Sequence, residues 1–187
     1  MARLFVAVRI APDVADRICR AQDELAPLLN DIRWIKRESL HLTLKFLGRV
    51  DDGRIEDIQT AVQAAVAPLA RFTVSCRGLG AFPDIKRPRV FWTGLEGGAL
   101  TALAEATEAA LEPLGFPREK REFKPHLTIG RWREGARGGD ALRRVVDDWR
   151  SRDFGTFAVD EAVLFQSTLR RDGAVYTALK TFPLRTN

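Results

Sequence analysis

HLTLKFLG at residues 41–48 and HLTIGRWR at residues 126–133 are two copies of one pattern, and between them they hold both histidines of the 187-residue chain. Each is rich in Leu, Thr and aromatic or β-branched residues, which suit a pleated, half-buried strand. Side chains alternate across a strand, so His and Thr two positions apart share one face and the aliphatic residue between them takes the other. His41, Thr43 and Lys45 are then expected on one surface, with Leu40, Leu42 and Leu44 toward a core. His126 and Thr128 line a second surface, opposite Leu127 and Ile129. The repetition predicts two related halves, each presenting one such strand.

The flanking sequence alternates strand-like and helix-like periods. A strand is predicted over residues 4–10, and Pro12 with Asp13 opens a helix carrying Val14, Ile18, Ala21, Leu25 and Leu28 on one side. A short strand is expected at 33–36. The first motif strand, 40–47, stops at Gly48, and a second helix carries Ile55, Ile58, Val62, Ala65, Val66 and Leu69. Strands at 72–76 and 89–95 flank a loop at 78–88 rich in Gly, Pro, Lys and Arg. A third helix from Gly98 presents Leu100, Leu103, Thr107, Leu111 and Leu114 and closes at Gly115 and Pro117. After a basic connector at 118–124 comes the second motif strand, 126–132. A Gly-rich loop, a short helix with Leu142, Val145, Val146 and Trp149, and two strands near 156–166 and 175–182 complete the chain. The order lacks the regular repeat of a doubly wound parallel sheet, and several connections suit antiparallel pairing. The predicted class is α+β, with residues 1–187 as one bilobal unit.

Composition narrows the setting. A chain with 45% hydrophobic residues can bury a sizeable core. The 30 Lys and Arg against 25 Asp and Glu give a net charge of +5, which serves either solubility or steering of a polyanion. No stretch approaches the ~20 apolar residues of a membrane span, and Arg9 interrupts the short apolar run at 4–8, so no secretory signal is read there. A cytoplasmic protein without membrane contact is expected. Cys19 and Cys76 have neither zinc nor redox spacing and read as small buried hydrophobes.

The paired histidines carry the chemistry. An imidazole titrates near pH ~6.5, so two of them can supply both a base and an acid at neutral pH. Opening a phosphodiester in line needs a base on the attacking oxygen and an acid on the leaving oxygen, on opposite sides of phosphorus. The adjacent threonine hydroxyls can hydrogen-bond to the non-bridging oxygens. Two histidines without carboxylate or thiolate partners in ligand spacing cannot fill a zinc shell, and no motif supports a Ser or Cys nucleophile. Chemistry without metal or cofactor is therefore expected.

This pattern resembles the two-histidine phosphoesterases, and within them the RNA 2',3'-cyclic phosphodiesterases, also called 2'-5' RNA ligases. The resemblance rests on Arg3-Leu4-Phe5-Val6-Ala7, on HLTLKFLG, on KPHLTIGR at 124–131, and on Ser167, Leu169, Gly173 and Tyr176. It implies two lobes, each an antiparallel sheet with outer helices, facing each other across a groove that holds both motifs. It also implies metal-independent hydrolysis of RNA 2',3'-cyclic phosphate ends to 2'-phosphomonoesters, which some members reverse to form a 2'-5' linkage. Carried over by position, His41 is the proton donor to the departing 3' oxygen and His126 the proton acceptor; the motif pair is too symmetric for its own physics to assign those roles. Thr43 and Thr128 match phosphate-binding positions. Arg131 matches a basic residue and is either a phosphate ligand or a solvated charge at a strand end. Lys45 borders the groove, and Phe5 either stacks on a base or belongs to the core. The implied partner is RNA or an oligonucleotide with a 2',3'-cyclic phosphate end, bound by a monomer with no obligate protein partner. The alternatives are an RNA-end-binding module with little catalysis, and an enzyme of the same mechanism acting on 2'-5' oligonucleotides or another cyclic phosphate.

Overall fold

A computed structural model describes residues 1–170 and 173–186. Nine strands among these residues form two antiparallel sheets. The first has the order β3-β1-β8-β9, from β3 (His41–Val50), β1 (Ala2–Arg9), β8 (Glu161–Arg170) and β9 (Gly173–Pro183). The second has the order β2-β6-β5-β4-β7, from β2 (Ile32–Trp34), β6 (His126–Trp132), β5 (Val90–Glu96), β4 (Phe72–Phe82) and β7 (Asp153–Val159). The expected α+β class is what the chain adopts.

Four helices cover the sheets. Helix α1 (Pro12–Leu25) begins on a proline, whose fixed φ and missing N–H suit the first turn, and buries Val14, Ala15, Ile18, Ala21, Gln22 and Leu25. Its apolar side packs toward β7. Helix α2 (Ile55–Val66) buries Ile58, Val62 and Val66 and packs on α3 (Gly98–Leu111), which in turn lies against β3. Helix α4 (Asp140–Asp148) sets Leu142 and Val145 against β4. Each fully buried Leu, Ile or Val contributes about 1.5–3 kcal/mol by leaving water, and the helix-facing sides of both sheets are lined with them.

Three boundaries differ from the expectation. The loop at 78–88 is shorter, because β4 continues through Gly78, where a φ of 70° accommodates a bulge, as far as Phe82. Gly80 lies directly under the Trp92 ring, where a side chain would collide. The apolar run near 156–166 is two strands, β7 and β8, which belong to different sheets and are separated by Asp160. Leu28 lies beyond the end of α1 and is 54% exposed.

Two irregularities position the site. Between β1 and β3, Val6 pairs with Lys45 and Ala7 with Thr43, so Leu44 is an extra residue. Between β5 and β6, Phe91 pairs with Gly130 and Trp92 with Thr128, so Ile129 is an extra residue. Each motif strand thus carries a bulge directly after its His-x-Thr, and alternation restarts with the opposite parity beyond it.

Candidate active site

His41 opens β3 and His126 opens β6; these strands belong to different sheets yet touch each other. The two imidazoles are held alike. His41 Nδ1 lies 2.8 Å from the Ser39 carbonyl and His126 Nδ1 lies 2.7 Å from the Lys124 carbonyl, in both cases two residues upstream. A carbonyl only accepts, so Nδ1 carries the proton and donates, which leaves Nε2 as the nitrogen that exchanges protons. Burial is the main cause drawing both pKa values below the ordinary imidazole value; the carbonyl bonds oppose it and the Arg131 charge adds to it. The Arg131 charge acts on both rings, and β3 and β6 touch, so the two motifs lie in one region of the molecule.

Arg131 owes its place to the bulge at Ile129. Strict alternation from Leu127 and Ile129 would aim it at the core. With the extra residue, Ile129 and Gly130 are both buried in succession, and Arg131 emerges beside Val90 on the face of Thr128 and Trp92. The residue is exposed, while nearby protein desolvates its guanidinium enough to lower its pKa; Tyr176 opposes that shift and Arg33 reinforces it. Gly130 permits the turn inward because Ile32 and Trp34 occupy the space a side chain would need.

The bulge at Leu44 does the reverse to Lys45, which alternation along the sequence places beside His41 and Thr43. Lys45 is turned to the helix side and is 3% exposed, with Nζ 2.6 Å from Glu108 Oε2 and 2.5 Å from the Pro117 carbonyl. It does not line the groove face. Phe46 takes that place, five residues after His41 as Arg131 is five after His126, and is 60% exposed. Phe5 pairs with Phe46 across the strands and is only 3% exposed, its ring 4.9 Å from His41, 5.4 Å from Phe165 and 5.1 Å from Tyr176. It forms the floor under the imidazole. Tyr176 also meets His41 edge-on at 5.0 Å, and Phe82 does the same for His126 at 5.0 Å.

Thr43 and Thr128 are half-buried on the same faces as their histidines, opposite Ala7 and Trp92. Among the described residues, neither hydroxyl has a side-chain hydrogen-bond partner. A cavity of about 330 Å³ opens beside His41, walled by Arg37, Leu40, Phe165 and Tyr176. Among the described residues, no three His, Cys, Asp or Glu side chains gather as a metal site would require. Sequence reasoning missed Phe46 and Phe82. The signal for Phe46 was present in the equal offset of Phe46 and Arg131 from the two histidines.

The family model for LigT-like phosphoesterases matches residues 8–92 and 96–176. The chain belongs to the LigT-like phosphoesterase family. This phosphoesterase is 32% identical over 183 residues to the RNA 2',3'-cyclic phosphodiesterase of Methanothermobacter thermautotrophicus, covering 97% of this chain and 98% of the relative. It is 36% identical over 165 residues to that of Aeropyrum pernix, covering 87% and 92%. Among solved structures, TT0787 of Thermus thermophilus superposes with a TM-score of 0.82 at 30% identity, and E. coli LigT complexed with 3'-AMP with 0.79 at 25%, each covering 98% of both chains.

Proposed function

We propose that this phosphoesterase hydrolyses 2',3'-cyclic phosphate ends of RNA to 2'-phosphomonoesters by general acid–base catalysis between His41 and His126. The observation that supports this best is the matched pair of imidazoles, each with Nδ1 tied back to a carbonyl two residues upstream and both within reach of the Arg131 charge. Water attacks phosphorus while His126 Nε2 takes its proton. The P–O3' bond breaks, and His41 Nε2 gives its proton to the departing oxygen. The two rings end with their protonation exchanged, and solvent resets them. Thr43 and Thr128 donate to the non-bridging oxygens, and Arg131 balances the charge that builds there. With a 5'-hydroxyl in place of water, the same proton transfers form a 2'-5' linkage. The relatives' names and the family resemblance support the substrate and the order of acid and base; the matching Nδ1 bonds of the two rings support their working as a pair.

The test is hydrolysis of a 2',3'-cyclic nucleotide and of an RNA oligomer with a cyclic end, in excess chelator, with 2'- and 3'-phosphate products separated. His41→Ala and His126→Ala should each lose roughly 10²–10⁴ of the rate. A substrate whose 3' oxygen is replaced by sulfur, a leaving group that needs no proton, should rescue His41→Ala and not His126→Ala. Full turnover by both alanine variants overturns the mechanism. Tight binding of RNA ends with no turnover would make the protein a binding module.

A further inference from the structure

The inner side of α1 is apolar at Val14, Ile18, Ala21 and Leu25, yet Gln22 is buried there with 7% exposure. A buried amide is costly unless bonded. Its Nε2 donates to the Ile35 carbonyl at 2.9 Å and to the Ile129 carbonyl at 2.9 Å, using both of its hydrogens. The Ile129 carbonyl also accepts the Ile35 N–H at 3.0 Å. Ile129 is the extra residue of β6, the one that turns Arg131 to the side of His126 and Thr128. Ile35 starts the segment that carries Ser39, whose carbonyl holds His41. One side chain on an outer helix therefore fastens the bulge beneath Arg131 to the stretch that leads into the other histidine.

We propose that Gln22 is a positioning residue for the reaction, holding the Ile129 bulge so that Arg131 faces the phosphate. The proposal rests on the reading of Arg131 as a phosphate ligand. A bulge is the point at which a strand's parity is decided, and losing the bond at its carbonyl lets β6 relax toward regular pairing, which draws Arg131 away from the groove. Gln22 reaches neither substrate nor imidazole; its effect passes through Arg131.

The test compares Gln22→Met, which keeps length and removes both donors, with Arg131→Ala and with the double variant, using the intact chain and a 2',3'-cyclic nucleotide. Gln22→Met should lower kcat/KM about tenfold, the size of one lost hydrogen bond of ordinary strength. In the Arg131→Ala background the same substitution should change kcat/KM by less than about twofold, since the interaction it serves is already gone. Both single variants should move the pH–rate profile upward, because the Arg131 charge that adds to the effect of burial on the imidazoles is removed in one and displaced in the other. Gln22→Glu, with one donor when its buried carboxyl is neutral, should fall between wild type and Gln22→Met, and stands in for Gln22→Met if that variant does not fold. A folded variant with kcat/KM within about twofold of wild type, or a loss that multiplies with that of Arg131→Ala, overturns the role of Gln22 and leaves Arg131 untouched. Full activity in Arg131→Ala removes the reading of Arg131 and the proposal with it.

Discussion

Lys45→Met separates a structural lysine from a groove lysine. In the native protein the ammonium sits 2.6 Å from Glu108 Oε2 and 2.5 Å from the Pro117 carbonyl, with its side chain 2% exposed and that of Glu108 13% exposed. Methionine keeps the bulk of the stem and removes the charge and both donors. Glu108 is then left as a carboxylate away from water, its remaining bond being the Glu119 N–H at 3.3 Å. Breaking a buried pair from one side costs about 3–5 kcal/mol. At about 2–4 °C per kcal/mol for a chain of this length, the melting temperature should fall by roughly 6–20 °C. Replacing both partners, as in Lys45→Met with Glu108→Leu, should recover most of that, since an apolar pair of similar volume has no desolvation to offset. Thermal unfolding followed by circular dichroism measures the first quantity, and hydrolysis of a cyclic nucleotide at 25 °C measures the second, which should stay within about threefold of wild type for a residue off the groove face. An unchanged melting temperature together with a large loss of kcat/KM would show that Lys45 serves the phosphate and that the parity change at Leu44 has been misread.

Phe46→Ala should do the opposite, because an exposed ring on the groove face supports little of the fold and offers a stacking surface: KM for a nucleoside cyclic phosphate should rise about 5- to 150-fold, the worth of one base–aromatic stack, with melting unchanged. An unaltered KM would remove Phe46 from substrate binding. Both imidazole pKa values are depressed, so the kcat/KM profile of the free enzyme should be a bell centred below the ordinary ~6.5, and kcat should peak at higher pH because a bound anion raises both values. A kcat/KM optimum above pH 8 would contradict the burial of the rings. The same depression gives a stability that is full above the unfolded value of ~6.5 and declines as pH falls through the lower folded values, where the unfolded chain binds protons the native one refuses. Denaturant titrations at pH 5 and 7.5 should show that decline shrinking in His41→Ala.

The elements that follow simple periods are legible in the sequence. The alternation in β3 and β6 and the stripes of α1, α2 and α3 are visible because burial on one face imposes a period of 2 or of about 3.6. The bulges are not. An extra residue is fixed by which partner strand its neighbours bond to, and that partner lies far along the chain: β1 for Leu44, β5 for Ile129. Hence alternation places Lys45 beside His41 when it is on the other side, and Arg131 is expected in the site through the family resemblance although alternation alone points it at the core. A charge on the core side of a strand is itself a clue to the bulge. Gly78 reads as a breaker because glycine usually is one, whereas its positive φ here keeps β4 going. Sequence leaves Phe5 between base stacking and core, and the rings of His41, Phe165 and Tyr176 around it decide for packing.

The order of strands along the chain limits how the protein can admit its ligand. The backbone passes from one sheet to the other four times, and two of those passages are short: residues 35–40 between β2 and β3, and Asp160 alone between β7 and β8. Tethers of that length keep the two sheets from separating widely at those points. In the proposed reaction the spacing of His41 and His126 is thereby restrained before the substrate arrives, which lowers the share of binding energy consumed in closing the protein around it.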